Sequence, residues 1–175
     1  YGPESEEAVE SYVLLGRVSR NVGDVSKAQE QLNKALRIAE RNKIGGYILA
    51  KVHSAIGEIY THEENEEDWA KAMIHLKKVE GILRQELNDP KSDVVDPIYL
   101  YLELSSVLRN LSLAHLNRKE YVIALKYADD AQVNAKKYAG GNHNNVVVVF
   151  GEFTRGSIFQ AMGKINEARK LYAEN

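Results

Sequence analysis

One spacing recurs along this chain and limits what it can fold into. Gly16 is followed twelve residues later by Ala28, then Leu32 four on and Ala35 three on. Near the other end, Gly156 is followed twelve residues later by Ala168 and four further on by Tyr172. Between them, Gly57 leads after fifteen residues to Ala72, then Leu76 and Val79 at the same steps of four and three. The three additional residues fall in the acidic stretch "THEENEEDW". A further unit, "LRNLSLAHLNRKEYVIALKYADDA", puts Ser112 where glycine stands elsewhere, with Ala124 twelve on, then Ala128 and Ala131. Steps of three and four keep side chains on one face of an α-helix. A small residue on one helix and alanine on the next let two antiparallel helices approach closely, with a large residue filling the space beside them. One such hairpin cannot bury its apolar faces alone, so hairpins of this kind stack in rows.

Everything else in the chain agrees with an all-α fold. Prolines stand only at Pro3, Pro90 and Pro97, and the stretches between are rich in strong helix formers. No alternating apolar and polar run with a hairpin turn interrupts them. Helix pairs are expected at 4–21 with 24–42, 47–62 with 66–87, 97–116 with 119–138, and 144–162 with 165–175. Asp96-Pro97 reads as an N-cap followed by the first helical residue, and Gly45-Gly46 and Gly140-Gly141 read as helix stops. The valine run "NNVVVVF" at 144–150 has strand-like composition, but its place at the head of the fourth unit assigns it to a buried first helix. Residues 87–97 form the longest irregular connector. The whole chain, 1–175, reads as one helical-repeat domain with units at 4–42, 47–87, 97–138 and 144–175. With its start at Tyr1 and its end inside an expected helix at Asn175, it reads as a piece of a longer protein.

These residues carry a resemblance. Leu15, Gly16, Ala28, Leu32 and Ala35, with Ile56, Gly57, Tyr60, Ala72, Leu76 and Val79, then Leu111, Ser112, Ala124 and Ala131, then Gly156, Phe159, Ala168 and Tyr172, resemble the tetratricopeptide repeat family over nearly the whole chain. The resemblance implies a right-handed superhelical solenoid of four antiparallel helix pairs. Steps of 41 residues from Gly16 to Gly57 and 44 from Ser112 to Gly156 are longer than the usual period. In that they resemble the kinesin-light-chain-like subgroup, as do "YGPESEEAV" and "YAGGNHNNV".

The same residues argue against catalysis. The chain has no cysteine, which removes disulfides, thiolate nucleophiles and cysteine-bound zinc and suits a reducing, cytoplasmic setting. His53, His62, His75, His115 and His143 include no i, i+4 pair with a glutamate between, so no helical zinc site is expected. "IGGY" and "AGGNH" lack the residues of a phosphate loop, and "HEENEED" at 62–68 reads as a solvated acidic loop. A net charge of −2 gives no basic stripe for nucleic acid, and no apolar run is long enough to span a bilayer. Neither enzyme activity nor a cofactor nor a metal is expected.

What remains is binding to another protein. In a solenoid of helix pairs the first helices line the concave face. The groove slots that the resemblance implies lie three before, one after and four after the glycine position, with their neighbours. They give Val13, Arg17, Arg20 and Asn21; Lys51, Ser54, Glu58 and Thr61; Arg109, Asn110, Leu113 and Asn117; and Phe150, Phe153, Ser157 and Gln160. Arginine forks onto carboxylates, an asparagine amide pairs with an extended backbone, and Phe and Leu floor an apolar pocket. The expected partner is a short peptide or helix of another protein, acidic with an apolar anchor. "LRNL" at 108–111 resembles the Leu-Asn-Asn-Leu of the kinesin-light-chain-like groove, whereas the other units carry "VLLG", "SAIG" and "FTRG". Val13 and Arg17 stand where a chaperone-tail clamp needs lysine and asparagine, so that ligand is not expected. The alternatives are a scaffold that self-associates through its apolar last helices, or a regulatory part of a larger enzyme-containing protein.

Overall fold

Each helix begins and ends where local chemistry dictates. The computed structural model describes residues 2, 4–61, 65–89 and 95–173. Ser5 caps α1 (Glu6–Asn21), its hydroxyl accepting from the Ala8 amide, and Glu6 and Glu7 favour the positive end of the helix dipole. Asp24 caps α2 (Val25–Arg41) through the Lys27 amide. Next come α3 (Gly46–Tyr60) and α4 (Glu66–Asn88), where Asn65 accepts from the Asp68 amide. Asp96 caps α5 (Pro97–Asn117), with proline in the first turn as expected. After α6 (Tyr121–Ala139), Asn145 caps α7 (Val146–Ala161) and so starts the valine run as helix rather than strand. The last is α8 (Ile165–Ala173).

Four of these helices close with the same backbone turn. Gly23, Lys43, Lys119 and Gly163 take the left-handed conformation, and the amide after each reaches back to the helix, as Asp24 does to the Ser19 carbonyl and Glu120 to that of His115. The end of α2 corrects an expectation. Asn42 and Lys43 stop the helix, while Gly45 and Gly46 open α3. The helix ends where the bounds 24–42 put it, and only the role of the glycines changes: Ile44 already turns in against the core, its amide bonding to the Ala39 carbonyl. Gly140, also left-handed, ends α6 as expected.

Short turns make neighbouring helices antiparallel, and they pack as adjacent pairs: α1 with α2, α3 with α4, α5 with α6, and α7 with α8. Among the described residues all regular structure is helical, the repeat architecture that the spacing predicts. The chain divides into two compact units, Tyr1–Asn88 and Asp89–Asn175. In the first, α3 packs against both α1 and α2, and Val9, Val13, Leu32, Ala35, Val52, Ile56 and Ile59 form one buried cluster. In the second, α7 packs against α5 and α6, with Ile158 buried among Ala124 and Ala128.

The repeat spacing has a more specific meaning than close contact between glycine and alanine. A β-carbon on Gly16 would stand 2.6 Å from Leu32 Cγ, one on Gly57 2.7 Å from Leu76 Cδ2, and one on Gly156 would clash with the Tyr172 ring at Cε1. In three units the large residue therefore rests directly on the glycine. In the unit with Ser112 the large slot holds Ala128, and the serine hydroxyl donates 2.8 Å to the Ala124 carbonyl. A larger residue on one helix is matched by a smaller one on the other.

Candidate functional site

The first helices of each unit form a cleft. In the first unit, Glu10, Val13, Leu14 and Arg17 follow one another at i, i+3, i+4 and i+7 on one face of α1. Facing them, α3 offers Ile48 and Lys51. Together these six line a cleft of about 320 Å³. Its floor is apolar and its rim is charged. Lys51 Nζ lies 2.6 Å from Glu10 Oε1. Glu58 receives two arginines, Arg20 at 3.1 Å and Arg17 at 3.5 Å. Arg17 Nε is buried with no hydrogen-bond partner.

The expected groove residues of this unit thus come together, but as partners of one another. Arg17, Arg20 and Lys51 already hold carboxylates of their own chain. Ser54 is buried and its hydroxyl points to Glu58, while Thr61 is buried and donates to the Gly57 carbonyl. Asn21 is exposed and accepts from Arg20. A ligand carboxylate has to compete with Glu58, whereas an apolar side chain enters over Val13, Leu14 and Ile48 without breaking a pair. Part-exposed ion pairs are worth only about 0.2–1 kcal/mol each, so such an exchange is within reach of a ligand.

In the second unit, α5 and α7 enclose a cleft of about 250 Å³ lined by Arg109, Leu113, Phe150, Phe153, Thr154 and Ser157. Five of these six are expected groove residues. The Arg109 guanidinium lies over the Phe150 ring, 5.9 Å from its centre, an attraction between cation and π-face. Phe153 meets Tyr172 with ring centres 5.1 Å apart. Both phenylalanines are more than half exposed. Thr154 and Ser157 turn their hydroxyls back to carbonyls one turn earlier, so the lining offers little polar competition. Asn117 and Gln160 are exposed outside the cleft. Asn110 is buried and does not line the cleft.

Glu10, Leu14, Ile48 and Thr154 line the clefts without having been expected there. Each stands three or four residues from an expected neighbour on its own helix, so the helical period was the available signal.

Three of the histidines, His53, His75 and His115, are engaged internally. His53 and His75 meet Nδ1 to Nδ1 at 2.8 Å between α3 and α4. Burial, then the neighbouring His75 and Lys78, push His53 down to about 4. His75 is also lowered, by burial first and then by Lys78. His115 donates to Glu120, which is held below the usual carboxylate range chiefly by that bond. His143 is exposed. His62 and the rest of 62–64 lie outside the described residues, as do 90–94 of the long connector. Among the described residues no group of three or more histidine, aspartate or glutamate side chains is placed to hold a metal ion, and no helix is long and apolar enough to cross a membrane.

Residues 9–42 match the family model of the tetratricopeptide repeat. The match covers most of α1 and all of α2 and contains Gly16, Ala28, Leu32 and Ala35. It supports a tetratricopeptide repeat reading of the chain. A comparison with curated proteins finds no match. Tetratricopeptide repeats generally mediate protein–protein interaction, and their fold is typically a non-catalytic interaction module.

Proposed function

We propose that this chain is a peptide-reading module, in which a segment of a partner protein lies against the first helices of the pairs and buries an apolar anchor there. The observation that carries this reading is the cleft between α5 and α7. Arg109, Leu113, Phe150, Phe153 and Ser157, separated by up to 48 residues in sequence, come together around about 250 Å³ of mostly apolar space. Exposed phenylalanines on a rigid helix give large contact area at small entropic cost, as the anchoring points of interfaces do. The cleft between α1 and α3 supports the same reading with a charged, self-paired rim. In this reading the ligand's apolar side chain supplies the affinity. Its acidic groups add only what is gained by displacing Glu58 from Arg17 and Arg20. The long units, 41 and 44 residues from one small residue to the next, are the reason to keep the kinesin-light-chain-like subgroup within the proposal.

A photo-crosslinking amino acid placed at Phe153 tests this. In lysate of the source cells it should capture a discrete partner peptide, identified by mass spectrometry. The same group at Lys126 on α6 should not. Capture from position 126 and not from 153 would move the binding surface to the second helices.

A further inference from the structure

An acid sits among the cations of the α1–α3 cleft. Of the groove residues named from the sequence, Glu58 is the one carboxylate. It follows Gly57 in the slot that Arg17 holds after Gly16, Leu113 after Ser112 and Ser157 after Gly156. Its carboxylate lies 3.1 Å from Arg20 Nη1 and 3.5 Å from Arg17 Nη2. The Ser54 hydroxyl, one turn earlier on α3, is 3.5 Å from the same oxygen that Arg17 approaches. The Glu58 side chain is 20% exposed and is held from three directions.

Both arginines are thereby committed. Arg20 also reaches the Glu58 carbonyl at 3.5 Å and the Asn21 side-chain oxygen at 3.4 Å. Arg17 Nε is buried, so a ligand oxygen meets it only after Arg17 has left Glu58. At the other wall Lys51 is held by Glu10 at 2.6 Å. Two arginines on one glutamate leave one positive charge, which water reaches because both side chains are about a third exposed. An incoming carboxylate has to exchange with Glu58. One part-exposed ion pair forms, one breaks, and such pairs are worth little each. The displaced Glu58 then stays beside the newcomer as a like charge, which costs what the exchange gains. An uncharged apolar side chain meets none of this. It lies over Val13, Leu14 and Ile48 while the ion pairs stay closed.

We propose that Glu58 determines the specificity of the α1–α3 cleft. By holding Arg17 and Arg20 itself, it makes the cleft take an uncharged apolar segment of a partner protein and removes the advantage that the arginines would give to an acidic one. This specificity rests on the peptide-reading function proposed above and narrows the ligand at one of its two clefts.

Two matched probes test it, N-acetyl-Leu-Ala-Glu-amide and N-acetyl-Leu-Ala-Gln-amide. In an extended tripeptide the first and third side chains share a face, so the leucine enters the apolar floor and the third residue points along the rim. Each probe is titrated into the isotope-labelled full chain at low ionic strength, and the backbone amide signals of both clefts are followed. Both probes should shift Val13, Leu14 and Ile48, with affinities within roughly threefold of each other. In Glu58→Gln the arginines are released, and the carboxylate probe should bind more than roughly threefold tighter than the amide probe. A native chain that already prefers the carboxylate probe by more than that factor overturns the assignment, and this measurement needs no variant. So does a Glu58→Gln chain, folded by circular dichroism, that treats the two probes alike. Where Glu58→Gln does not fold, an Arg17→Gln, Arg20→Gln variant reads the same charge from the other side. Its unpaired Glu58 should make the carboxylate probe the weaker of the two, and equal binding there overturns the assignment. Absence of any shift at Val13, Leu14 and Ile48 overturns it as well. Shifts at Leu113, Phe150 and Phe153 in the same spectra would then leave the peptide-reading function standing. Their absence, together with no capture from position 153, would remove that function too.

Discussion

Gly57 lies directly beneath Leu76: a β-carbon on the glycine would stand 2.7 Å from Leu76 Cδ2 and 2.9 Å from its Cγ. Leu76 is fully buried and has nowhere to move. Alanine at 57 gains about 1 kcal/mol of helix propensity but forces α3 and α4 apart. Overpacking of this kind costs about 1–3 kcal/mol beyond that gain. Gly57→Ala should therefore lower the Tm, by roughly 2–12 °C for a chain of this size. Gly81 on α4 has nothing within 4 Å of where its β-carbon would stand. Gly81→Ala should raise stability by up to about 1 kcal/mol. Calorimetry on the two variants reads opposite signs from the same chemical change. Equal signs would mean that the glycine of the repeat is not a packing device.

The Ser112 unit allows the same rule to be tested by exchange. Here a small residue occupies both sides, and the serine hydroxyl bonds to the Ala124 carbonyl at 2.8 Å. Ala128→Leu alone should destabilise, because Ser112 and its hydroxyl hold the space that glycine leaves open in other units. Ser112→Gly alone should also destabilise, through the lost hydrogen bond and the greater freedom of glycine, each worth about 1 kcal/mol. Together they recreate the Gly16–Leu32 arrangement. The double variant should be more stable than the sum of the two losses by about 0.5–3 kcal/mol, the usual coupling between residues in contact. Additive losses in a urea-denaturation cycle would show that the two positions do not face each other.

Lys119 closes α5 with φ of +61°, and Gly163 closes α7 with φ of +76° in the same turn. A side chain in this conformation costs about 1 kcal/mol relative to glycine. Lys119→Gly should accordingly stabilise by about 0.5–1 kcal/mol, and Gly163→Lys should destabilise by a similar amount. Urea midpoints of the two variants check this. A destabilised Lys119→Gly would show that the lysine side chain contributes more through its surroundings than its backbone costs.

The helices were legible because their signals are local. Ser5, Asp24, Asp96 and Asn145 sit at their caps, and the steps of three and four give one buried face per helix. What local spacing hides is direction across a helix pair. That Leu32 sits on Gly16 rather than beside it follows from the pitch of two helices against each other, which the sequence alone does not state. The same holds for the clefts. Groove slots on first helices are periodic, and Leu113, Phe150 and Phe153 line one cleft. The pairing of Arg17 and Arg20 with Glu58 joins residues about 40 positions apart, and only packing of α1 on α3 brings it about. Asn110, one residue and so 100° around the helix from Arg109, is buried.

The His53–His75 contact gives the chain an acid limit. At 2.8 Å, one Nδ1 donates and the other accepts, which requires that the two rings are not both protonated. In the unfolded chain both titrate near 6.5. In the folded chain His53 stays neutral down to about 4, because burial and then His75 and Lys78 disfavour its charge. Between these values the unfolded state binds more protons than the folded one. Stability therefore rises with pH across the window, is fully present above about 6.5, and is lost as pH falls towards 4. The span corresponds to about 3 kcal/mol at its full extent. Urea midpoints at pH 7.5 and pH 5 should show the native chain losing roughly half of that. A His53→Gln variant removes one of the two titrating rings, and its midpoint should fall less over the same interval, by the part that His75 alone contributes. An equal loss in both chains would place the acid sensitivity elsewhere.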